Sequence, residues 1–207
     1  MSIREAYTTW SSTYDSMENP TRDLDHQIMQ ATFSQLRFKA ILELGCGTGK
    51  NTALLAQVGE QVQAVDFSEG MMALAKAKIK ANNVTFTAAD LTLPWPCGDQ
   101  TVDLIVCNLV LEHIADLAFI FAEAARCLRI GGRFFICELH PAKQYQGLKA
   151  NFEHEQQKTE ITAFIHHISD FLAAAEATNL TLHHFNEWWH QPDHSKPPLL
   201  ASFLFVK

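Results

Sequence analysis

The chain alternates continuous apolar runs of strand length with segments whose apolar residues recur at helical spacing. Residues 40–44, 61–65, 84–88, 102–107 and 133–138 form the runs, and residues 50–57, 68–80 and 115–128 carry the helical period. Strands that read as unbroken apolar runs are covered on both faces, the pattern of a parallel sheet between helical layers. Two later runs, 181–186 and 199–206, are separated by about twelve residues with no helical period, which permits an antiparallel pairing.

Local signals place the ends of these elements. Residues 2–14 suggest a short helix. Asn19-Pro20-Thr21 is a break, with Thr21 as the expected cap of a helix over 23–36. Ser68 caps the next, with Glu69 favourable in its first turn. Two prolines make 93–99 (LPWPCGD) a loop, and Gly131-Gly132 is expected to end the 115–128 helix. Residues 139–165 follow neither period and look like an inserted cap. Ser169 is the expected cap of a helix over 170–178.

The length of 207 residues suits one domain, divided into a helical N-terminal cap (1–38), a core (39–138), the insertion (139–165) and a C-terminal helix with a strand pair (166–207). A 47% hydrophobic content supports a substantial core. The net charge is −7 with no lysine or arginine block, so no nucleic-acid partner is expected. The stretch KAKIK at 76–80 reads as a solvated helix face. No segment resembles a signal peptide or reaches the ~18 apolar residues of a membrane span, so no membrane partner is expected. The five cysteines form no CxxC pair and read as free thiols of a reducing, cytoplasmic compartment.

Residues 41–49 read ILELGCGTG, an apolar strand running into a glycine turn. Glycines allow a tight turn and close approach of a ligand to the backbone. Glu43 adds an anionic acceptor, which suits a cationic ligand better than a pyrophosphate. The third glycine follows the second by two residues, not by the three of the dinucleotide fingerprint. Ligands of open parallel sheets bind at the carboxyl ends of the strands. The next ends carry Asp66, suited to ribose hydroxyls, then Asp90, then Asn108 and Leu109, with Glu112-His113 just beyond.

Taken together, LELGCGTG, VDFSEGMM, AADLTLPWPCGDQTVDLIVCNLVLEHI and RCLRIGGRFFICE resemble the class I S-adenosylmethionine-dependent methyltransferases, in their small-molecule branch. The resemblance covers roughly residues 36–138. It implies an α/β, Rossmann-like, doubly wound sheet of seven mostly parallel strands, order 3-2-1-4-5-7-6, with the last antiparallel. It implies S-adenosylmethionine as cofactor, S-adenosylhomocysteine as product and a small-molecule methyl acceptor. Glu43 and the backbone at Gly45, Cys46 and Gly47 would face the methionyl part. Asp66 would hold the ribose, Phe67 and Met71 would pack near the adenine, and Asp90 would bond its amino group with Leu91 beside the ring. Asn108 and Leu109 would contact the methionyl part, and Arg22 its carboxylate. Trp10 and Tyr14, in YTTWSSTYD, would close the site from above, with His113 at its border.

Plainer roles stand beside these. Asp66 is also placed to cap a helix, Asp90 to be a loop acid, Cys46 to be filler and Trp95 to be packing. Eight of the ten histidines crowd the last third without joining a cysteine pair, and no metal site is expected. His113, His140 and His167, with its neighbour His166, are the candidates for a base near the acceptor. Asn108 is followed by Leu-Val-Leu, not Pro-Pro-Tyr, which disfavours methylation of a base or glutamine amino group. A methyltransferase of protein or tRNA, and a module that binds the cofactor without turnover, remain alternatives. Oligomeric state is left open.

Overall fold

The computed structural model describes residues 2–154, 157–190 and 195–207. Helices α1 (Ile3–Tyr14) and α2 (Pro20–Phe33) precede β1 (Phe38–Leu44). Then follow α3 (Thr52–Val58), β2 (Gly59–Asp66), α4 (Glu69–Lys78), β3 (Val84–Ala88) and β4 (Val102–Asn108). A single 3-10 turn (Leu111–His113) leads to α5 (Leu117–Cys127), β5 (Leu128–Leu139) and α6 (Pro141–Tyr145). The chain ends with β6 (Asn151–His154), β7 (Gln157–Glu160), α7 (Ile168–Ala177), β8 (Thr181–Trp188) and β9 (Leu200–Val206).

Seven strands form one sheet in the order β3-β2-β1-β4-β5-β9-β8. Numbered within that sheet, this is the expected 3-2-1-4-5-7-6. Strands β3, β2, β1, β4 and β5 pair in parallel. Strand β9 pairs antiparallel with both β5 and β8, so it runs against the others. Strands β6 and β7 make a separate antiparallel hairpin, which no period of the sequence indicated.

The central strands β2, β1, β4, β5 and β9 are largely buried between helical layers, as their unbroken apolar runs require, while the edge strands β3 and β8 are largely exposed. On one face Phe121, Phe134, Phe203 and Phe205 are fully buried with α5 and α7; on the other, Ile28, Met29 and Phe33 of α2 pack with Leu55 of α3. Phe33 meets Phe135 edge-on at 5.1 Å, which locks α2 to β5. Trp95 is buried packing: its Nε1–H donates to Leu91 O at 3.1 Å, and its backbone N–H to Glu123 Oε2 at 2.7 Å. No described helix is long and apolar enough to cross a membrane.

Three expected boundaries are corrected. Asn19, not Thr21, caps α2, because Pro20 needs no hydrogen bond at the first helical position; Asn19 Oδ1 accepts from Arg22 N at 3.1 Å. Gly131-Gly132 lies inside β5, not before it. Leu128 already pairs with Val102, and the register shifts before Arg133 pairs with Leu104. His167, not Ser169, stands at the cap of α7, with its backbone N–H donating to Asp170 Oδ2 at 2.8 Å. His194 and residues 155–156 of the expected insertion lie outside the described residues.

Candidate functional site

Strand order reverses between β1 and β4, where the carboxyl ends of the strands diverge and leave a crevice. A cavity of about 540 Å³ opens there. Its floor is the turn after β1. Gly45 has φ +70°, and a Cβ on it would lie 2.2 Å from Val110 Cγ2. Gly47 has φ +51° and would meet nothing within 4 Å, so the backbone is bare toward the cavity.

Two acids set this turn. Asp66, at the end of β2, accepts from Gly47 N through Oδ2 and from Ser68 N through Oδ1, each at 2.8 Å. It thus serves the capping role and also ties the turn to α4. Glu43 is 4% exposed, and its Oε2 accepts from Thr52 Oγ1 at 2.6 Å. Burial raises both carboxyls above their ordinary range, Glu43 to about 8.

The far wall is the segment after β4. Asn108 Nδ2 donates to Asp25 Oδ1 of α2 at 2.6 Å. Leu109 follows with φ +57°, a left-handed conformation that a leucine adopts only when its surroundings impose it. Glu138, at the end of β5, imposes it by accepting from Val110 N at 2.9 Å and Leu111 N at 3.0 Å. Burial pushes Glu138 up to about 8 and Glu112 up to about 7. Asp90 behaves differently: Thr92 donates to its Oδ1 from backbone and hydroxyl, holding the carboxyl low, and Arg4 lies 3.6 Å away.

Helix α1 closes the top. Tyr7 Oη and His113 Nε2 are 2.7 Å apart, and His113 Nδ1 lies 2.8 Å from Thr162 O. A carbonyl can only accept, so Nδ1 carries the proton and Nε2 accepts from the phenol. Burial lowers the His113 pKa and raises that of Tyr7, keeping both neutral. Asp15 accepts from Thr48 Oγ1 at 2.7 Å and pairs with Lys78, pinning the end of α1.

The cavity gathers nearly every expected cofactor residue. Glu43, Gly45, Cys46 and Gly47 line it with Asp66, Phe67 and Met71, and so do Asp90, Leu91, Asn108, Leu109 and His113. Tyr14 and Arg22 complete the wall, with the guanidinium 4.0 Å over the tyrosine ring. Trp10 does not line it. It is buried behind Tyr14, ring centroids 4.8 Å apart, and so supports the wall instead of forming it.

Two of the three candidate bases lie elsewhere. His140 caps α6 by accepting from Ala142 N at 3.1 Å, and its Nε2 donates to Glu187 at 2.9 Å. His167 bonds Tyr145. Its neighbour His166 donates from Nε2 to Leu111 O and Ile114 O, at 3.1 and 2.8 Å. None of the three lines the cavity, since each is committed to holding the segments around it.

Tyr7 and Asp25 line the cavity without having been anticipated. Tyr7 had a signal: with Trp10 and Tyr14 it makes an aromatic face at helical spacing. Asp25 had none, because its partner Asn108 lies 83 residues away.

A family model described as a methyltransferase domain matches residues 42–136. The biotin biosynthesis bifunctional protein BioHC of Cellvibrio japonicus is 29% identical over 171 residues, which are 79% of this chain and 32% of that protein. The demethylmenaquinone methyltransferase of Tropheryma whipplei is 32% identical over 105 residues, 50% of this chain and 43% of that protein. The chain thus spans less than half the length of these two curated relatives. A crystal structure of an S-adenosylmethionine dependent methyltransferase from Mesorhizobium loti shares the fold, with a TM-score of 0.72 at 17% identity, over 87% of this chain and 96% of that one. The motifs, the sheet and these relatives together support a class I S-adenosylmethionine-dependent methyltransferase, with S-adenosylmethionine as its cofactor.

Proposed function

We propose that this chain holds S-adenosylmethionine in the cavity and directs its methyl group in line to a small-molecule acceptor. The observation that carries this reading is the buried Glu43 carboxyl beside a bare glycine turn. Its charge is disfavoured by burial and by the neighbouring Asp66 and Asp25. A cationic ligand is what such a site lacks. The cofactor supplies a methyl already activated on a cationic sulfur. The residues therefore need mainly to orient two reactants and exclude water, and orientation alone can lower a barrier by ~7–11 kcal/mol.

The remaining lining fits the same ligand. Asp66 suits the ribose, Asp90 the adenine amino group, and Phe67, Met71 and Leu91 the ring. Arg22 suits the carboxylate: its Nη1 and Nη2 donate to Tyr14 O and Met17 O, while its buried Nε has no partner among the described residues. Of the candidate bases, His113 has the geometry. Its Nε2 lone pair, reached through Tyr7, accepts the proton of a hydroxyl, phenol or amine acceptor, and Glu112 Oε1 lies 3.7 Å away. The acidic chain and the small cavity favour a small acceptor over a nucleic acid. Four of the five cysteines are buried free thiols, which fits the cytoplasm.

The test is methyl transfer from labelled cofactor to a panel of small alcohols, phenols, amines and carboxylates. Transfer to protic acceptors that drops by about 10²-fold or more in Tyr7→Phe supports the reading, since that is the usual worth of a positioned proton acceptor. Cofactor binding with no transfer to any member points instead to a binding module without turnover. Asp66→Ala should weaken S-adenosylhomocysteine binding by about 1.5–3 kcal/mol, the loss expected for charge-assisted bonds. Unchanged affinity in calorimetry would remove Asp66 from the ribose.

A further inference from the structure

Asp25 is 4% exposed on α2, and both its oxygens are engaged by amides from other elements. Oδ1 accepts from Asn108 Nδ2 at 2.6 Å and Oδ2 from Asn51 Nδ2 at 2.7 Å. A carboxylate can only accept, so it dictates which end of each amide faces it. The Asn51 oxygen then turns to His26 Nδ1, at 3.1 Å. The Asn108 oxygen turns away from Asp25; it is buried and has no partner among the described residues. One helical turn before Asp25, Arg22 lines the same cavity with its buried, unpartnered Nε.

This network contains an unusual imbalance. Neutral groups, two amides and the Cys137 thiol, are the donors to Asp25, and Asp25 disfavours the charge of Glu43, which lines the same cavity. Burying an anion with neutral donors beside a second acid is costly, and a cation in the cavity would offset it. An unsatisfied amide oxygen beside that anion is the acceptor such a cation would use. The unsatisfied Nε of Arg22 offers the matching site for an anion one helical turn away.

We infer that Asp25 is the positioning residue of an amino-acid subsite, in which it holds the Asn108 amide oxygen for a ligand's primary ammonium and supplies the opposing negative charge. The inference rests on the cavity holding S-adenosylmethionine and assigns the discrimination of its methionyl end to α2. It distinguishes Asp25 from Glu43. Glu43 belongs to the glycine turn. Asp25 comes from a helix outside the core motifs and acts through Asn108.

The test is calorimetric titration of wild type, Asp25→Asn and Asn108→Ala with two ligands. S-adenosylhomocysteine carries the amino-acid end; 5′-methylthioadenosine has the same nucleoside and thioether but lacks that end. Both variants should lose roughly 10- to 100-fold in affinity for S-adenosylhomocysteine, the worth of one charge-assisted bond, and stay within about twofold of wild type for methylthioadenosine. If the two ligands weaken equally in the variants, Asp25 only supports the fold and the inference fails. If wild type binds methylthioadenosine as tightly as S-adenosylhomocysteine, there is no amino-acid subsite. Binding of neither ligand to wild type overturns the cofactor reading itself, and this inference with it. Should Asp25→Asn fail to fold, Asn108→Ala decides, because it leaves the Asp25 carboxylate in place and removes the proposed acceptor directly.

Discussion

Replacing Gly45 by alanine is expected to abolish measurable cofactor binding and to cost the fold about 2–4 kcal/mol, as overpacking a tight site and straining its backbone together do. The backbone there is left-handed, and the new methyl would sit 2.2 Å from Val110 Cγ2. Val110 is β-branched and stiff at χ1, so its side chain cannot simply rotate aside. Its backbone is held by Glu138, and the left-handed Leu109 precedes it. Relief must therefore displace the segment carrying Asn108, Leu109 and His113, the far wall of the cavity. Gly47→Ala makes the control, because its methyl meets nothing in the fold and intrudes only on the ligand. It should cost stability only about 1 kcal/mol while still weakening binding. Urea unfolding and calorimetry of both variants test this. A Gly45→Ala protein as stable as wild type would show that the turn and the far wall are not mechanically joined.

The second large effect is on pH. The unliganded protein should lose stability as pH rises from about 4.5 to about 8. Glu43 and Glu138 titrate at about 8 and Glu112 at about 7 in the fold, against 4.5 for an unperturbed glutamate. The folded state thus holds protons that the unfolded chain releases in this window. Their contribution is complete below the unfolded value and is lost as pH passes the folded one. Asp25 and Asp66, also raised by burial, act in the same direction. His113, lowered by burial, opposes them only below its ordinary 6.5.

Binding should run the other way. A cation beside Glu43 favours its ionised form, so cofactor affinity should rise by up to about tenfold per pH unit toward pH 8, with proton uptake by the buffer. Glu43→Gln should flatten the binding profile and make the stability profile less steep, since Glu138 and Glu112 still titrate. Unfolding midpoints and binding constants at pH 5.5, 7 and 8.5 decide it, and a binding constant indifferent to pH would sink the role given to Glu43.

The residues that sequence reasoning located share a property: each is next in the chain to the feature that explains it. Asp66 and Asp90 follow apolar runs, Ser68 caps the helix that it precedes, and the glycines adjoin the strand that they terminate. Where reasoning stopped short, the deciding partner was remote. Trp10 was placed on the cavity because its helix was rightly expected above the site. Which face of that helix turned inward depended on Tyr7 meeting His113, 106 residues away. His140 and His167 sit beside the site in sequence, yet Glu187 and Tyr145 claim them. The β6–β7 hairpin stands apart from the seven-stranded sheet, and no apolar run of the sequence announced it.

Local chemistry therefore determined the sheet, its order by resemblance, the glycine turn and the three acids at successive strand ends. Backbone freedom and the run of apolar residues are properties of neighbours in the chain. Tertiary structure alone decided what state those acids are in and who joins them. Burial turned Glu43 from a ready anion into a carboxyl raised to about 8. Packing of α2 against the strand ends delivered Asp25 and Arg22, and packing of α1 set Tyr7 on His113. Desolvation and long-range hydrogen bonding depend on what surrounds a residue in space, and no stretch of sequence carries that by itself.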